Sequence, residues 1–235
     1  MVQHFDLLLP KDNEASLADA AEKLGIVPIF LYNFRDAREI LKKREQLKAL
    51  GIPYHVGIYV KPRSSGDIKK AAKLWIAADF LAVIDPGELV RAAVSNPKVD
   101  AVFRVPSSVS RDALEYRRSN WNSILSGIAQ KNKVAYGIDF SYFVQSSGYK
   151  LAKIFGREMQ NVLLCRRKIP VLIASLATEP LEMRMPENLS CFARVLGLNS
   201  PQSKSAVSSV LEKILEIKRK RRKGVLVRPG VELIG

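Results

Sequence analysis

The chain has 235 residues, 47% of them hydrophobic, and carries a formal net charge of +15 from 38 lysines and arginines against 23 acids. That length admits one α/β barrel or two small domains, with enough apolar residues for a sizeable core. Its two cysteines, Cys165 and Cys191, lack CxxC spacing, which excludes zinc ribbons and disulfide scaffolds, and no apolar run approaches the ~20 residues of a membrane span. With no basic-then-apolar leader at the start, a soluble protein of a reduced, cytoplasmic setting is expected.

Short β-type runs alternate with amphipathic helices from the beginning. His4 to Leu9 reads as the first strand, and Leu17, Ala20, Ala21 and Leu24 then follow the i, i+3, i+4, i+7 spacing of a helix. Ile26 to Tyr32 is the second strand, and Ala37, Ile40, Leu41 and Leu47 mark a helix that ends at Gly51. Tyr54 to Val60 is the third, with Ile68, Ala71, Ala72, Trp75 and Ile76 inside the helix after it. Phe80 to Ile84 and Val99 to Arg104 are the fourth and fifth, separated by a short helix around Leu89, Val90 and Ala93. The longest break, rich in serine and arginine, runs from Pro106 to Asn120; a helix then places Trp121, Ile124, Leu125 and Ile128 on one face. Val134 to Phe140 is the sixth strand, and its helix buries Leu151, Ile154, Phe155, Met159, Val162 and Leu163.

The seventh strand begins at Val171 and ends at Ala174, and a loop follows with Thr178, Glu179, Glu182 and Arg184, closed by Pro186. Two helical patterns come next, joined at Gly197. The second starts with Ser200 at the N-cap and Pro201 in the first turn, and runs on through Val207, Val210, Leu211, Ile214 and Ile217. Strand–helix units in this succession mean parallel strands with helical crossovers. No Gly-rich dinucleotide loop follows the first strand. The expectation is therefore α/β: a single, distorted TIM-like (β/α) barrel of about seven parallel strands over residues 1–217, with a basic C-terminal extension over 218–235. Val225 to Arg228 could supply an eighth strand.

Barrels gather their function in the loops at the C-terminal ends of the strands. Those loops hold Asn33 and Arg35, Lys61 and Arg63, Asp85, Arg104, Asp139 and Ser141, then Thr178 to Arg184. The planar arginine fork suits phosphate, although Lys61 and Arg104 taken singly are as readily solvated loop charges. Arg184 is the better candidate, because Pro180 and Pro186 stiffen its loop and lower the ordering cost of binding. The run KRKRRK, Lys218 to Lys223, either contacts phosphates or complements the dipole of its helix and stays solvated. So basic a surface attracts phosphate polymers. Aromatic residues form no stacking ribbon, so a folded RNA recognised by backbone and shape is the better match than stacked single strands. An alternative has His4, Asp6, Asp85 and Asp139 converging at one barrel mouth to hold a divalent ion, as in a stand-alone metal-dependent phosphoesterase or nuclease. Such sites normally draw on more histidine and carboxylate ligands. Cys165 and Cys191 fall in helical patterns, where buried packing is the default.

The last third is distinctive. A strand ending at Ser175, the PLE-x-R-x-P loop from Pro180 to Pro186, the Gly197-Leu198 turn and the A-V-S start at Ala206 to Ser208 resemble the protein component 3 family of archaeal and eukaryotic ribonuclease P, the thirty-kilodalton subunit type. The N-terminal FDLLL, the central VAYGIDFSYFV and the overall length agree. The resemblance implies a distorted barrel related to metal-dependent PHP phosphoesterases. It also implies a protein subunit of an RNA-based endonuclease that trims 5′ leaders from precursor tRNA. In that enzyme the RNA subunit performs magnesium-dependent hydrolysis, this subunit binds no cofactor of its own, and a smaller protein subunit is its partner. His4-Phe5-Asp6 stands where the PHP pattern has an HxH pair, so independent metal hydrolysis is not expected. Candidate RNA contacts are Lys61, Arg63, Arg104, Arg111, Arg184 and Lys204, acting by position rather than by reading bases.

Overall fold

Strands covered on both faces are apolar along most of their length, and most of the runs above meet that requirement, with His4 and Asp6 in the first as exceptions. In a computed structural model, which describes residues 3–108, 112, 117–222, 226–228 and 231–232, they lie side by side in chain order as one parallel seven-stranded sheet. The first half comprises β1 (His4–Leu8), α1 (Glu14–Lys23), β2 (Ile26–Tyr32), α2 (Ala37–Leu47), β3 (His55–Val60), α3 (Ser65–Lys73), β4 (Phe80–Ile84), α4 (Val90–Val94) and β5 (Ala101–Phe103). After the serine- and arginine-rich break come α5 (Ser123–Asn132), β6 (Ala135–Asp139), α6 (Phe140–Val144), α7 (Gly148–Cys165), β7 (Val171–Ala174), α8 (Pro186–Val195), α9 (Ser200–Ala206) and α10 (Ser209–Arg222). Two further short strands, β8 (Leu226–Arg228) and β9 (Val231–Glu232), pair antiparallel with each other. The segment considered for an eighth barrel strand is therefore a strand, but it stands apart from the barrel sheet. No described helix is long and apolar enough to cross a membrane.

The sheet curls so that alternate side chains fall into two layers. Phe5, Leu7, Ile29, Leu31, Phe80, Ala82, Phe103, Ala135 and Leu172 fill the inside. Leu8, Phe30, Val56, Ile58, Leu81, Val102, Tyr136 and Ile173 face the surrounding helices. Two interior positions are glycine because a larger neighbour takes the space: a Cβ at Gly137 would collide with the Phe103 ring, and one at Gly57 would lie 2.5 Å from Leu31 Cδ2.

Between β7 and β1 the barrel closes without a regular ladder. Leu8 makes an isolated parallel bridge to Ala177, and the Leu9 amide donates to the Ala177 carbonyl at 2.9 Å. Lower down, the Asp6 carboxylate spans the seam, accepting from Ser175 N at 2.7 Å and Ser175 Oγ at 2.5 Å. At the N-terminal end of β1, Phe5 N donates to the Val207 carbonyl at 3.2 Å.

That last bond accounts for a departure from the periodicity. The single helix read from Ser200 to Ile217 is two, α9 and α10, interrupted at Val207 and Ser208 where the chain turns to meet β1. The N-cap is Asn199 rather than Ser200: its side chain accepts from Gln202 N, and Gln202 Oε1 accepts from Asn199 N in a reciprocal box. Helix α10 then crosses the N-terminal mouth of the barrel, with Leu211 and Leu215 packed among the interior side chains. It runs through residues 217 and 218 without a break. Lys218, expected to contact phosphates or stay solvated, is 3% exposed and pairs with Asp100 just before β5 at 2.5 Å. Arg222 pairs with Asp79 just before β4.

Five apolar or sulfur side chains also depart from expectation. Ile124 is 66% and Leu163 50% exposed, and Cys191 is exposed; Leu41 and Ile76 are exposed too, Ile76 lying beyond the end of α3 at Lys73. Trp121 precedes α5, whose N-cap is Asn122, so the face counted from Trp121 is out of phase with the helix, which buries Leu125, Ser126 and Ala129 instead.

Candidate nucleic-acid interface

The C-terminal ends of β2, β3 and β4 open into a cleft of about 890 Å³ lined by Asn33, Arg35, Lys61, Arg63, Lys70 and Asp85, among others. Three of the strand-end loops singled out in the sequence thus converge. The loop after β3 is held by a capping box: the Asp67 carboxylate accepts from Arg63 N at 2.9 Å and Ser64 N at 3.0 Å. Those two bonds hold Asp67 below the ordinary carboxylate range and fix the backbone that presents Arg63. Arg35, Lys61, Arg63 and Lys70 are all exposed, four cations against the two carboxylates of Asp67 and Asp85. Lys70 was not among the expected contacts. It sits on α3 one turn beyond the capping box, on a helix whose last turn is basic, and that was the available signal.

A second group lies at the ends of β5, β6 and β7. Arg104 takes the left-handed conformation (φ 52°), as do Asp85 (φ 57°) after β4 and Leu176 (φ 46°) after β7. Backbone strain of about 1–2 kcal/mol per residue thereby collects at one end of the barrel. The Arg104 guanidinium pairs with Asp139 and donates to Ser141 Oγ at 3.1 Å. Burial raises the Asp139 carboxyl, and Arg104 opposes that shift. Arg104 is therefore neither a solvated loop charge nor an open phosphate hook; it is committed to an ion pair that is 18% exposed on the arginine side and 1% on the aspartate side. Arg184 donates to the Leu181 and Met183 carbonyls at 2.7 and 2.8 Å and stands over the Phe140 ring.

Lys204 is exposed on α9, beside a different cleft of about 560 Å³ that also holds His4, Cys191 and Arg194. Of the six expected contacts, then, Lys61 and Arg63 are brought together, Arg104 and Arg184 flank α6, and Lys204 lies elsewhere. Arg111 lies outside the described residues.

The metal alternative does not assemble. His4, Asp6, Asp85 and Asp139 are not gathered at one mouth. Among the described residues no group of three or more His, Cys, Asp or Glu side chains is placed to hold a metal ion. The reason is the alternation of β1. Phe5 and Leu7 point into the barrel, so His4 and Asp6 point out of it, while Asp139 follows the inward register of Ala135 and Gly137. The residues do not fit the metal cluster of a PHP enzyme.

Known proteins resemble this chain. Residues 12–223 match the family described as RNase P subunit p30. A ribonuclease P protein component 3 from Methanosarcina mazei is 31% identical over 222 residues, 93% of this chain and 88% of that protein. The protein of the same name from Methanocaldococcus jannaschii is 25% identical over 234 residues, 96% and 95% of the two chains. A chain in a cryo-EM structure of archaeal ribonuclease P with mature tRNA superposes with a TM-score of 0.78 at 18% identity, covering 98% of each chain, which establishes the shared fold.

Proposed function

The chain belongs to the RNase P subunit p30 family and is a protein subunit of ribonuclease P, a hydrolytic tRNA-processing complex, within which we propose that it binds and stabilises the catalytic RNA through its basic surface. The observation that carries this reading is the exposed cleft of Arg35, Lys61, Arg63 and Lys70 at the C-terminal ends of β2 to β4. Folding a catalytic RNA brings phosphates together; cations held in a fixed cleft offset their repulsion and release condensed counterions. Hydrolysis of the 5′ leader of precursor tRNA belongs to the RNA subunit and its magnesium, and the protein binds no cofactor. The failure of His4, Asp6, Asp85 and Asp139 to converge supports that division of labour. Its partners are the ribonuclease P RNA, a smaller protein subunit and, through the complex, precursor tRNA, in the cytoplasm. The likeness to a chain solved with mature tRNA supports this setting.

Filter binding of ribonuclease P RNA across a salt series tests the cleft. The double variant Lys61→Ala/Arg63→Ala is expected to bind more weakly, with the slope of log K against log salt reduced by about 1.4–1.8, since each phosphate no longer neutralised takes away about 0.7–0.9. Affinity and slope equal to those of the wild type would remove the cleft from the interface. Arg184→Ala is expected to weaken RNA assembly and to flatten the salt slope by up to about 0.9, the share of a single phosphate.

A further inference from the structure

Three aromatic rings of one short stretch, residues 140–149, are each faced by a cation. Phe140 lies 5.6 Å from the Arg184 guanidinium, and Tyr142 lies 5.5 Å from that of Arg104 and 5.9 Å from Lys150 Nζ. Tyr149 lies 4.5 Å from Lys153 Nζ. The cations come from the end of β5, from α7 and from the loop after β7; Tyr149 and Lys153 are an i, i+4 pair on α7, and the others are brought to their rings by the fold. Lys150, the neighbour of Tyr149, reaches back to Tyr142 and so links those two rings.

Tyr149 is 77% exposed, which leaves its ring open to a second flat partner beside Lys153. The first turn of α7 carries no acidic residue, and Asp112, the acid near Lys153, is already paired with Arg157. The carboxylate that offsets Arg104, Asp139, is buried and turned away from solvent. A purely apolar partner would strip water from Lys150 and Lys153 without supplying an acceptor. A nucleotide meets both demands, since its base stacks on an aromatic face and its phosphate pairs with a neighbouring cation.

We propose that Tyr149, flanked by Lys150 and Lys153, is a stacking platform for an unpaired base of an RNA strand whose phosphates those lysines contact. The inference rests on the RNA-binding reading above and adds base stacking to a surface otherwise read as contacting backbone. It also departs from the expectation that single-strand stacking is absent.

The test uses the full chain and two probes: a ~10-nucleotide single-stranded RNA carrying 2-aminopurine, within the usual span of such sites, and an RNA duplex of equal length. Binding of the single strand should quench the 2-aminopurine. Tyr149→Ala should abolish the quench and weaken single-strand binding about 5- to 150-fold, the fold-change of ~1–3 kcal/mol per stacked base, with the salt slope unchanged. Tyr149→Trp should retain both, and neither change should alter duplex affinity. The Lys61→Ala/Arg63→Ala protein should bind both probes more weakly yet quench fully at saturation. Wild-type single-strand affinity in Tyr149→Ala overturns the platform and leaves this surface to a protein partner, while weaker binding by the cleft variant still upholds RNA binding. A wild-type protein that binds neither probe overturns both readings.

Discussion

At the β7–β1 seam, Asp6 does with a side chain what backbone ladders do around the rest of the barrel. Burial pushes its carboxyl up to about 7 from 3.8, with Ser175 and Leu7 N opposing and Asp139 reinforcing. Glu158 on α7 behaves alike: burial raises it to about 8 from 4.5, although the Tyr136 hydroxyl donates to it at 2.6 Å. Both groups bind protons more tightly folded than unfolded. Their contribution is therefore fully present below about pH 4 and is lost as pH rises through 7 and 8. Asp6→Asn, which keeps an acceptor for Ser175 N, and Glu158→Gln should each flatten the decline in urea-unfolding midpoint across that window. A decline as steep in both variants as in the wild type would show that these carboxyls titrate alike in the folded and unfolded chain. The residue types at positions 4 and 6 were legible as potential metal ligands. That they alternate with Phe5 and Leu7 was legible too, but which of the two sets faces the barrel interior was not, because both faces of β1 are covered.

Among elements, α10 departs furthest from its sequence pattern, since a basic run at a helix end ordinarily stays in water. Here burial lowers the Lys218 amine while Asp100 opposes the shift. Burial works to raise Asp79, but His55, Arg44, Arg222 and the Val56 amide hold it well below the usual range. Each acid precedes a strand, so the pairs tie the helix to the starts of β4 and β5. Lys218→Ala leaves Asp100 buried and uncompensated and should lose ~3–5 kcal/mol in urea unfolding. Lys218→Met with Asp100→Asn should recover most of that, and equal losses in the single and double variants would mean the pair is not the cause. Gly137→Ala should lose ~1–3 kcal/mol by forcing Phe103 aside. The strands were readable to within a residue or two because most are short, mainly apolar runs. The division of α9 from α10 was not, since the turn at Val207 answers a backbone donor on β1, at the far end of the chain.

For the whole molecule, the cations behind the net charge of +15 are used in different ways. Arg44, Lys218 and Arg222 are absorbed by acids at the N-terminal mouth, while Arg35, Lys61, Arg63 and Lys70 stand exposed at the opposite end. The isolated protein should show no turnover of RNA in manganese; a bound metal with turnover would restore the nuclease reading. Length, strand–helix alternation and the motifs between Ser175 and Ser208 determined the fold class and the family, because buried parallel strands and fixed turns leave their mark in local residue order. Which cations face solvent, which way His4 and Asp6 point, and how the rings of Phe140 and Tyr142 acquire Arg184 and Arg104 were decided only by the tertiary structure. Most of these depend on residues far apart in the chain meeting in space, and neither composition nor periodicity records such a meeting.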